Sequence, residues 1–388
     1  MIFDSESVFE ENVITVLKQH GWKDGVLRYP TERDLLDNWK DILYRNNNDI
    51  DRLGKYPLTD GEMAQIIEQI ETLRTPLALN SFVNGRTVSI TRDNKEDVAH
   101  FGKEVSLYIY DRKEIAGGKS TYQIAQQPVY PAKNKMLNSR RGDLVLLING
   151  MPLIHIELKR SGIPVSQATN QIEKYAHEGV FTGLFRLVQI FVAMTPDDAV
   201  YFANPGADKF NPSYYFHWAD YNNEPICGGQ HPGKDEWKLF IGGTSGTAGL
   251  LSIPMAHQLI GFYTIADSAD GCLKVLRSYQ YIAANAISDV VRKCDWEQRP
   301  SMPGRPGGYV WHTTGSGKTM TSFKSAQLIA DSHDADKVVF LMDRIELGTQ
   351  SLKEYRSFAD SETEVQGTEN TGVLRDKLNS TDVNDTLI

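Results

Sequence analysis

No run of 18 apolar residues occurs anywhere in the chain, so the sequence offers no helix able to cross a bilayer. The opening Met1-Ile2-Phe3-Asp4-Ser5-Glu6 is acidic and lacks the basic region and apolar stretch of a secretory signal. Cysteine is scarce: Cys227, Cys272 and Cys294 are far apart and none lies in a Cys-x-x-Cys pair, which argues against a disulfide framework and against a zinc site. Low-complexity segments and internal repeats are missing too, and a cytoplasmic location is the expectation. Positive charge is not in excess, because 41 Lys and Arg face 50 Asp and Glu for a net charge of −9. A whole-surface attraction to phosphate is thereby excluded, and any contact with nucleic acid has to be a local patch.

What is present is a globular composition. Hydrophobic residues make up 40% of 388 positions, enough for more than one core, and the length predicts two units. Phe9, Val13, Val16, Leu17 and His20 recur at helical spacing, with Gly21 as the stop. A second helix is expected over 60–73, and strands near 87–91 and 105–110. The clearest pattern is Leu144-Val145-Leu146-Leu147-Ile148, then Asn149-Gly150, then Met151 to Lys159, since Asn-Gly between apolar runs signals a hairpin. A helix over 166–178 and a buried strand over 189–194 follow, giving an α/β unit over residues 1–205. Asn, Gly, Pro, Tyr and Trp crowd 204–249, which reads as part of an interdomain region, 206–260, whose Trp218 and Trp237 would favour packing over free swinging. In 261–388, a helix over 273–291, a strand at 309–312, a helix over 318–329 and a strand at 338–342 predict the opening of a parallel nucleotide-binding sheet.

His312-Thr313-Thr314-Gly315-Ser316-Gly317-Lys318-Thr319 ends in Gly-Lys-Thr where strand is expected to turn into helix. Thr314, Gly315, Ser316 and Gly317 would bring backbone N–H groups to the phosphates of ATP, Lys318 would meet its terminal phosphates, and Thr319 would ligate Mg²⁺. His312 replaces the first glycine of the general pattern, a departure common in superfamily 2 helicases and translocases, which the segment resembles. That resemblance implies an adenine-reading role for Gln280. It also puts Arg344, in Asp343-Arg344-x-x-Leu347-x-x-Gln350, where those families touch a DNA strand. No apolar strand ending in Asp-Glu follows Lys318, although hydrolysis needs such a pair. The expectation is a RecA-like lobe cut short, able to bind nucleotide weakly without turning it over.

Asp143, thirteen intervening residues and Glu157-Leu158-Lys159 form the pattern Asp…Glu-x-Lys. Phosphodiester hydrolysis uses divalent cations held by hard carboxylate oxygens, which Asp143 and Glu157 would supply, with Leu158 adding its carbonyl. Lys159, two residues beyond Glu157 on the same strand face, would steady the attacking water or the developing charge. A strict two-residue turn at Asn149-Gly150 pairs Asp143 with Ile156 and turns Glu157 to the opposite face. A shared metal therefore demands a bulge or a wider turn, for which Pro152 is the expected place. Just upstream, Lys133, Lys135, Arg140 and Arg141 form a patch free of acidic residues that is expected to face DNA.

The run from Arg141-Gly142-Asp143 through Asn149-Gly150-Met151-Pro152 to Ile156-Glu157-Leu158-Lys159 closely resembles the PD-(D/E)xK nuclease core of the R subunits of type I restriction endonucleases. Gln171-x-x-x-Tyr175 resembles an additional motif of that family, implying side chains that reach a phosphate or fix the carboxylates from one helix face. The family also places an acidic residue on its first helix facing the metal, which implies Glu10, with Glu11 as the alternative. The nuclease block, the connecting stretch and the Trp311 to Thr319 segment stand in the family's order. The resemblance implies an α/β PD-(D/E)xK nuclease-like domain followed by a truncated RecA-like parallel-sheet lobe. It further implies a Mg²⁺-dependent endonuclease and ATP-dependent translocase that joins methylation (M) and specificity (S) subunits and cleaves double-stranded foreign DNA away from the recognition site. Rival readings are a helicase-nuclease of DNA repair or another defence system, and a DNA-binding scaffold whose acidic cluster is structural.

Overall fold

The computed structural model describes residues 2–115, 117–130, 140–206, 209–229, 234–294, 307–359 and 364–388, so Lys133 and Lys135 lie outside the described residues. The chain divides into two compact units, one of Met1–Thr264 with Cys272–Val275 and the other of Ile265–Gly271 with Leu276–Ile388. Among the described residues no helix is long and apolar enough to cross a membrane.

The first unit opens with α1 (Glu6–Gln19), capped by the Ser5 side chain, which accepts from the Val8 N–H, and ended at His20 before Gly21 at φ +110°. After β1 (Val26–Arg28), capping boxes at Thr31 and Thr59 start α2 (Glu32–Asn46) and α3 (Asp60–Thr72), and Pro76 begins α4 (Pro76–Asn84). β2 (Thr87–Thr91) and β3 (Glu104–Tyr108) pair antiparallel as a separate ribbon. Next come β4 (Tyr122–Gln126), β5 (Val129–Tyr130), β6 (Arg140–Arg141), β7 (Leu144–Ile148), β8 (Met151–Leu158), α5 (Val165–His177), β9 (Ile190–Met194) and β10 (Ala199–Ala203). The central sheet has the order β1-β4-β7-β8-β9-β10. β1 with β4 and β8 with β9 are parallel, and the other neighbours are antiparallel. Every residue of β7, β8 and β9 is buried, which is why these strands read as unbroken apolar runs and not as an alternation.

The hairpin carries the bulge that the spacing demands. Asn149 and Gly150 both take positive φ, +52° and +84°, as a tight two-residue turn requires. Ile148 pairs with Met151 and Leu147 with Pro152, but Leu146 pairs with Ile154, so Leu153 is an extra residue beside Pro152. Leu144 consequently faces Ile156, and the position before it, Asp143, comes level with Glu157.

Residues 206–260, expected to form an interdomain region, fall within the first unit where they are described. α6 (Glu236–Gly242) lies against α1, and Trp237 meets Phe3 and Phe9 edge-on at 6.0 and 5.2 Å between centroids. Trp218 is buried and donates its Nε1–H to the Ala248 carbonyl. The aromatic composition thus belongs to a core, and α7 (Met255–Gly261) completes it.

β11 (Thr264–Asp267) and β12 (Cys272–Val275) precede the second unit's first helix. That helix, α8 (Ser278–Lys293), starts later than the expected 273–291 because residues 272–275 are extended. α9 (Lys318–Ser332), α10 (Ile345–Phe358) and α11 (Thr371–Asn379) follow, and α9 and α10 contribute to a core of Phe323, Ala326, Tyr355, Val365 and Leu387. The strand expected at 309–312 is not formed: Tyr309 and Trp311 stand 89% and 87% exposed, with no ladder to join among the described residues. At 338–342 only the start of a parallel ladder exists, with Val338 bridged to Leu387 and the Phe340 N–H donating to the Ile388 carbonyl.

Candidate active site

The pleat of β8 sends His155, Glu157 and Lys159 to one face, and the bulge brings Asp143 level with them. Asp143 Oδ2 accepts from the Leu158 N–H at 2.7 Å. Lys159 continues the ladder through its N–H to the Met194 carbonyl. Its Nζ lies 3.4 Å from Glu157 Oε1 and 3.7 Å from Glu6 Oε1, and donates to the Leu158 carbonyl at 2.7 Å. Glu157 is completely buried, whereas Asp143 is half-buried at the rim.

Two acids in this position are hard to ionise together. Burial pushes the Glu157 carboxyl up to about 7, while Lys159 and the hydrogen bond with Asp143 pull it down. Asp143 is held well above the usual carboxylate range, first by desolvation and then by the charge of Glu157. One proton shared between the two is the arrangement that avoids adjacent buried charges. Glu157 Oε2 has no hydrogen-bond partner among the described residues. A divalent cation fits this donor set, since it would replace the proton and engage oxygens of both acids. Among the described residues no group of three or more His, Cys, Asp and Glu is arranged to hold a metal. A cation here would therefore take two carboxylates and complete its shell with backbone or water oxygens, as Mg²⁺ does.

α1 turns Glu10 inward and Glu11 outward. Glu10 is buried and accepts from Gln126 Nε2 at 2.6 Å and from Gln127 Nε2 at 3.2 and 3.3 Å. Burial raises its carboxyl against these amide bonds, and the charge of Asp143 adds to the rise. Glu11 instead pairs with Arg28 at 2.8 Å, half exposed. Gln126 and Gln127, at the end of β4, were not singled out in the sequence, although the Gln127 N–H donates to the Asp143 carbonyl at 2.7 Å. Two adjacent glutamines after Tyr122-Gln123-Ile124-Ala125 were the only signal.

Gln171 and Tyr175 share a face of α5, but they act on backbone. Gln171 Nε2 donates to the Tyr175 hydroxyl at 2.7 Å, and that hydroxyl donates to the Arg141 carbonyl at 2.9 Å. The pair fixes the chain two residues ahead of Asp143. Of the basic patch, Arg140 is committed to Glu178 by two hydrogen bonds, 2.9 and 3.0 Å, while Arg141 is exposed with its guanidinium 5.8 Å from the Tyr29 ring centre.

In the second unit, Gly315 and Gly317 adopt φ of +79° and +78° and α9 begins at Lys318. Thr314 and Gly315 are exposed, and Thr319 lies in the first turn of α9. Lys318 Nζ donates to the Thr313 carbonyl at 3.0 Å, so the ammonium folds over its own loop. Gln280 does not present its amide for adenine in this arrangement, because both ends are taken by backbone. Its Oε1 accepts from the Arg277 N–H at 2.9 Å, and its Nε2 donates to the Ser316 and Gly317 carbonyls at 3.3 and 3.2 Å. Arg344 is exposed immediately before α10, 3.9 Å from Asp343.

Residues 4–210 match the family described as the type I restriction enzyme R protein N terminus, and residues 279–388 match that of the SWI2/SNF2 ATPase. The endonuclease subunit of a type I restriction enzyme of Staphylococcus aureus is 32% identical over 381 residues, 98% of this chain and 36% of its own length. A corresponding subunit of Staphylococcus saprophyticus is 31% identical over 97% of this chain and 36% of its own length. The EcoprrI endonuclease subunit of Escherichia coli is 27% identical over 80% of this chain and 99% of its own. The chain thus spans about a third of the staphylococcal relatives it matches. With more than half of its residues inside the first of these families, the chain belongs to the type I restriction enzyme R proteins.

Proposed function

We propose that the chain carries a Mg²⁺-dependent, PD-(D/E)xK-type endonuclease centre in its first unit and part of an ATP-dependent, RecA-like DNA translocase in its second. The whole protein would work with M and S subunits in a restriction complex, cleaving double-stranded foreign DNA away from the recognition site. The observation that carries this reading is the wholly buried Glu157 with Asp143 at the rim beside it and Lys159 next to both, two acids kept together at the end of an apolar hairpin by a bulge. A surface salt bridge would need neither the burial nor the bulge.

Asp143 and Glu157 would hold the cation, and Mg²⁺ when bound would polarise the phosphate and acidify a water. Lys159, its Nζ 3.4 Å from Glu157, is placed to stabilise negative charge developing on the phosphate. Glu10, steadied by Gln126 and Gln127, would support the same centre through water. Gln171 and Tyr175 would hold the Arg141–Asp143 backbone in place. In the second unit, Thr314 to Gly317 would cradle phosphates, with Lys318 and Thr319 meeting the terminal phosphates and their Mg²⁺.

In the full-length subunit assembled with its partners, Asp143→Ala, Glu157→Ala and Lys159→Ala should each abolish plasmid cleavage while ATP hydrolysis persists. Parent-like cleavage by any two of the three overturns the assignment. Calorimetric titration with Mg²⁺ separates this reading from a structural acidic cluster, which would bind equally in the parent and in Asp143→Ala.

A further inference from the structure

Two buried polar atoms face each other without a partner. His155 Nε2 and Glu157 Oε2 are 3.4 Å apart, both side chains are wholly enclosed, and neither atom has a hydrogen bond among the described residues. Such a pair is costly unless one atom donates to the other. The far side of the imidazole meets one other polar group, since His155 Nδ1 lies 2.8 Å from the Tyr130 hydroxyl. With that hydroxyl donating, Nδ1 is the acceptor, and the neutral ring carries its hydrogen on Nε2, toward Glu157. Tyr130 is itself buried, edge-on to Phe185 and Phe181 at 4.6 and 6.0 Å between centroids, so its hydroxyl has no route to water.

The same pair bears on the other acid. A Cβ on Gly142 would meet the Tyr130 hydroxyl at 2.5 Å and His155 Cε1 at 2.8 Å, so the backbone just before Asp143 lies directly on the two rings. The Arg141 carbonyl is pinned by the Tyr175 hydroxyl, and Tyr175 stands 6.2 Å from Tyr130 and 6.3 Å from His155 between ring centres. Three rings therefore underlie the segment that presents Asp143, and one of them reaches Glu157.

We propose that Tyr130 and His155 are positioning residues of the metal centre. His155 Nε2–H holds Glu157 Oε2, leaving Oε1 and Asp143 to meet a divalent cation, and Tyr130 fixes the tautomer that makes this donation possible. The proposal rests on the nuclease reading of Asp143 and Glu157 and extends it to two residues outside the Asp…Glu-x-Lys pattern. Partners behind a ligand of this kind set its orientation, and their loss lowers metal affinity by about 10- to 100-fold. A histidine serving only as core filling would leave metal binding untouched when replaced by an apolar side chain.

The probe is Mn²⁺, titrated by calorimetry into the chain, with thermal unfolding of each metal-free variant followed in parallel. Tyr130→Phe removes one oxygen and keeps the ring, His155→Leu removes the donor, and His155→Gln restores an N–H near the position of Nε2. Tyr130→Phe and His155→Leu should weaken Mn²⁺ binding by about tenfold or more, and His155→Gln should recover most of the loss. Binding within about twofold of the parent in both Tyr130→Phe and His155→Leu overturns the proposal, as does a His155→Gln variant no better than His155→Leu. Should His155→Leu fail to fold, the isosteric Tyr130→Phe decides by the same criterion. Parent-like Mn²⁺ binding in Asp143→Ala and Glu157→Ala refutes the metal centre itself, a different outcome from loss in those two variants with no change in Tyr130→Phe.

Discussion

Glu157 would tie stability to the proposed metal through a single side chain. In the folded chain burial pushes its carboxyl up to about 7, against an ordinary value of 4.5. Once pH passes about 4.5 the unfolded chain has released a proton that the folded chain keeps, so metal-free stability should fall as pH rises from there to about 7. Asp143, also raised, acts in the same direction. A cation held as proposed would displace a proton from the acid pair, so binding should tighten with rising pH across that window and release protons at its lower end. Mn²⁺ calorimetry near pH 5.5 and near pH 7.5, in buffers of different ionisation enthalpy, measures this directly, with about one proton released at the lower pH. No release at either pH would mean that the pair is already ionised without metal. Gly142 gives an independent check on the same centre. The rings it touches are enclosed and cannot yield, so Gly142→Ala should cost about 1–3 kcal/mol in denaturant unfolding and weaken Mn²⁺ binding together with stability.

The helices and strands divide by whether their partners are local. α1, α3, α5 and the β7–β8 hairpin are legible because periodicity, caps and the Asn-Gly turn act within a few residues. Even the bulge is half legible, since a bulge or a wider turn is needed for Asp143 to share a face with Glu157, and the fold uses the bulge. β4 is not: Gln123 and Gln126 make it look polar, yet it is buried, because these amides find Asn38 and Glu10 in distant helices. Tyr130 and His155 are hidden for the same reason, 25 residues apart and joined only by the fold. Over 206–260 the tryptophans announce packing but not its partner, and Trp237 locks α6 onto α1 against Phe3 and Phe9. Trp237→Ala should cost about 3–5 kcal/mol and, because α1 carries Glu10, should also raise amide exchange along α1. Unchanged exchange in α1 would show that Trp237 does not hold that helix.

Charge and nucleotide chemistry belong to the full length of the chain. With a net charge of −9, the proposed contact with DNA would be local, and the described arginines of the patch are not equivalent. Arg140 has to leave its two hydrogen bonds with Glu178 before it can meet a phosphate, whereas Arg141 stands exposed. Arg141→Ala should therefore reduce the salt slope of DNA binding by about one unit, and Arg140→Ala by less; equal slopes would show that the Glu178 pair opens freely. The phosphate loop raises a matching question. Lys318 lies on the Thr313 carbonyl and would have to swing from it to reach a phosphate as proposed, while Gln280 donates to the Ser316 and Gly317 carbonyls. Residues 319–388 contain no Asp-Glu pair to orient an attacking water, and the chain covers about a third of the staphylococcal relatives. We therefore predict that the chain binds Mg²⁺–ATP without turning it over. Equilibrium binding of a fluorescent nucleotide should be lost in Lys318→Ala and weakened in Gln280→Ala, with no phosphate released in the presence or absence of DNA. DNA-stimulated turnover that disappears in Lys318→Ala would show instead that the hydrolytic carboxylates lie among these 388 residues.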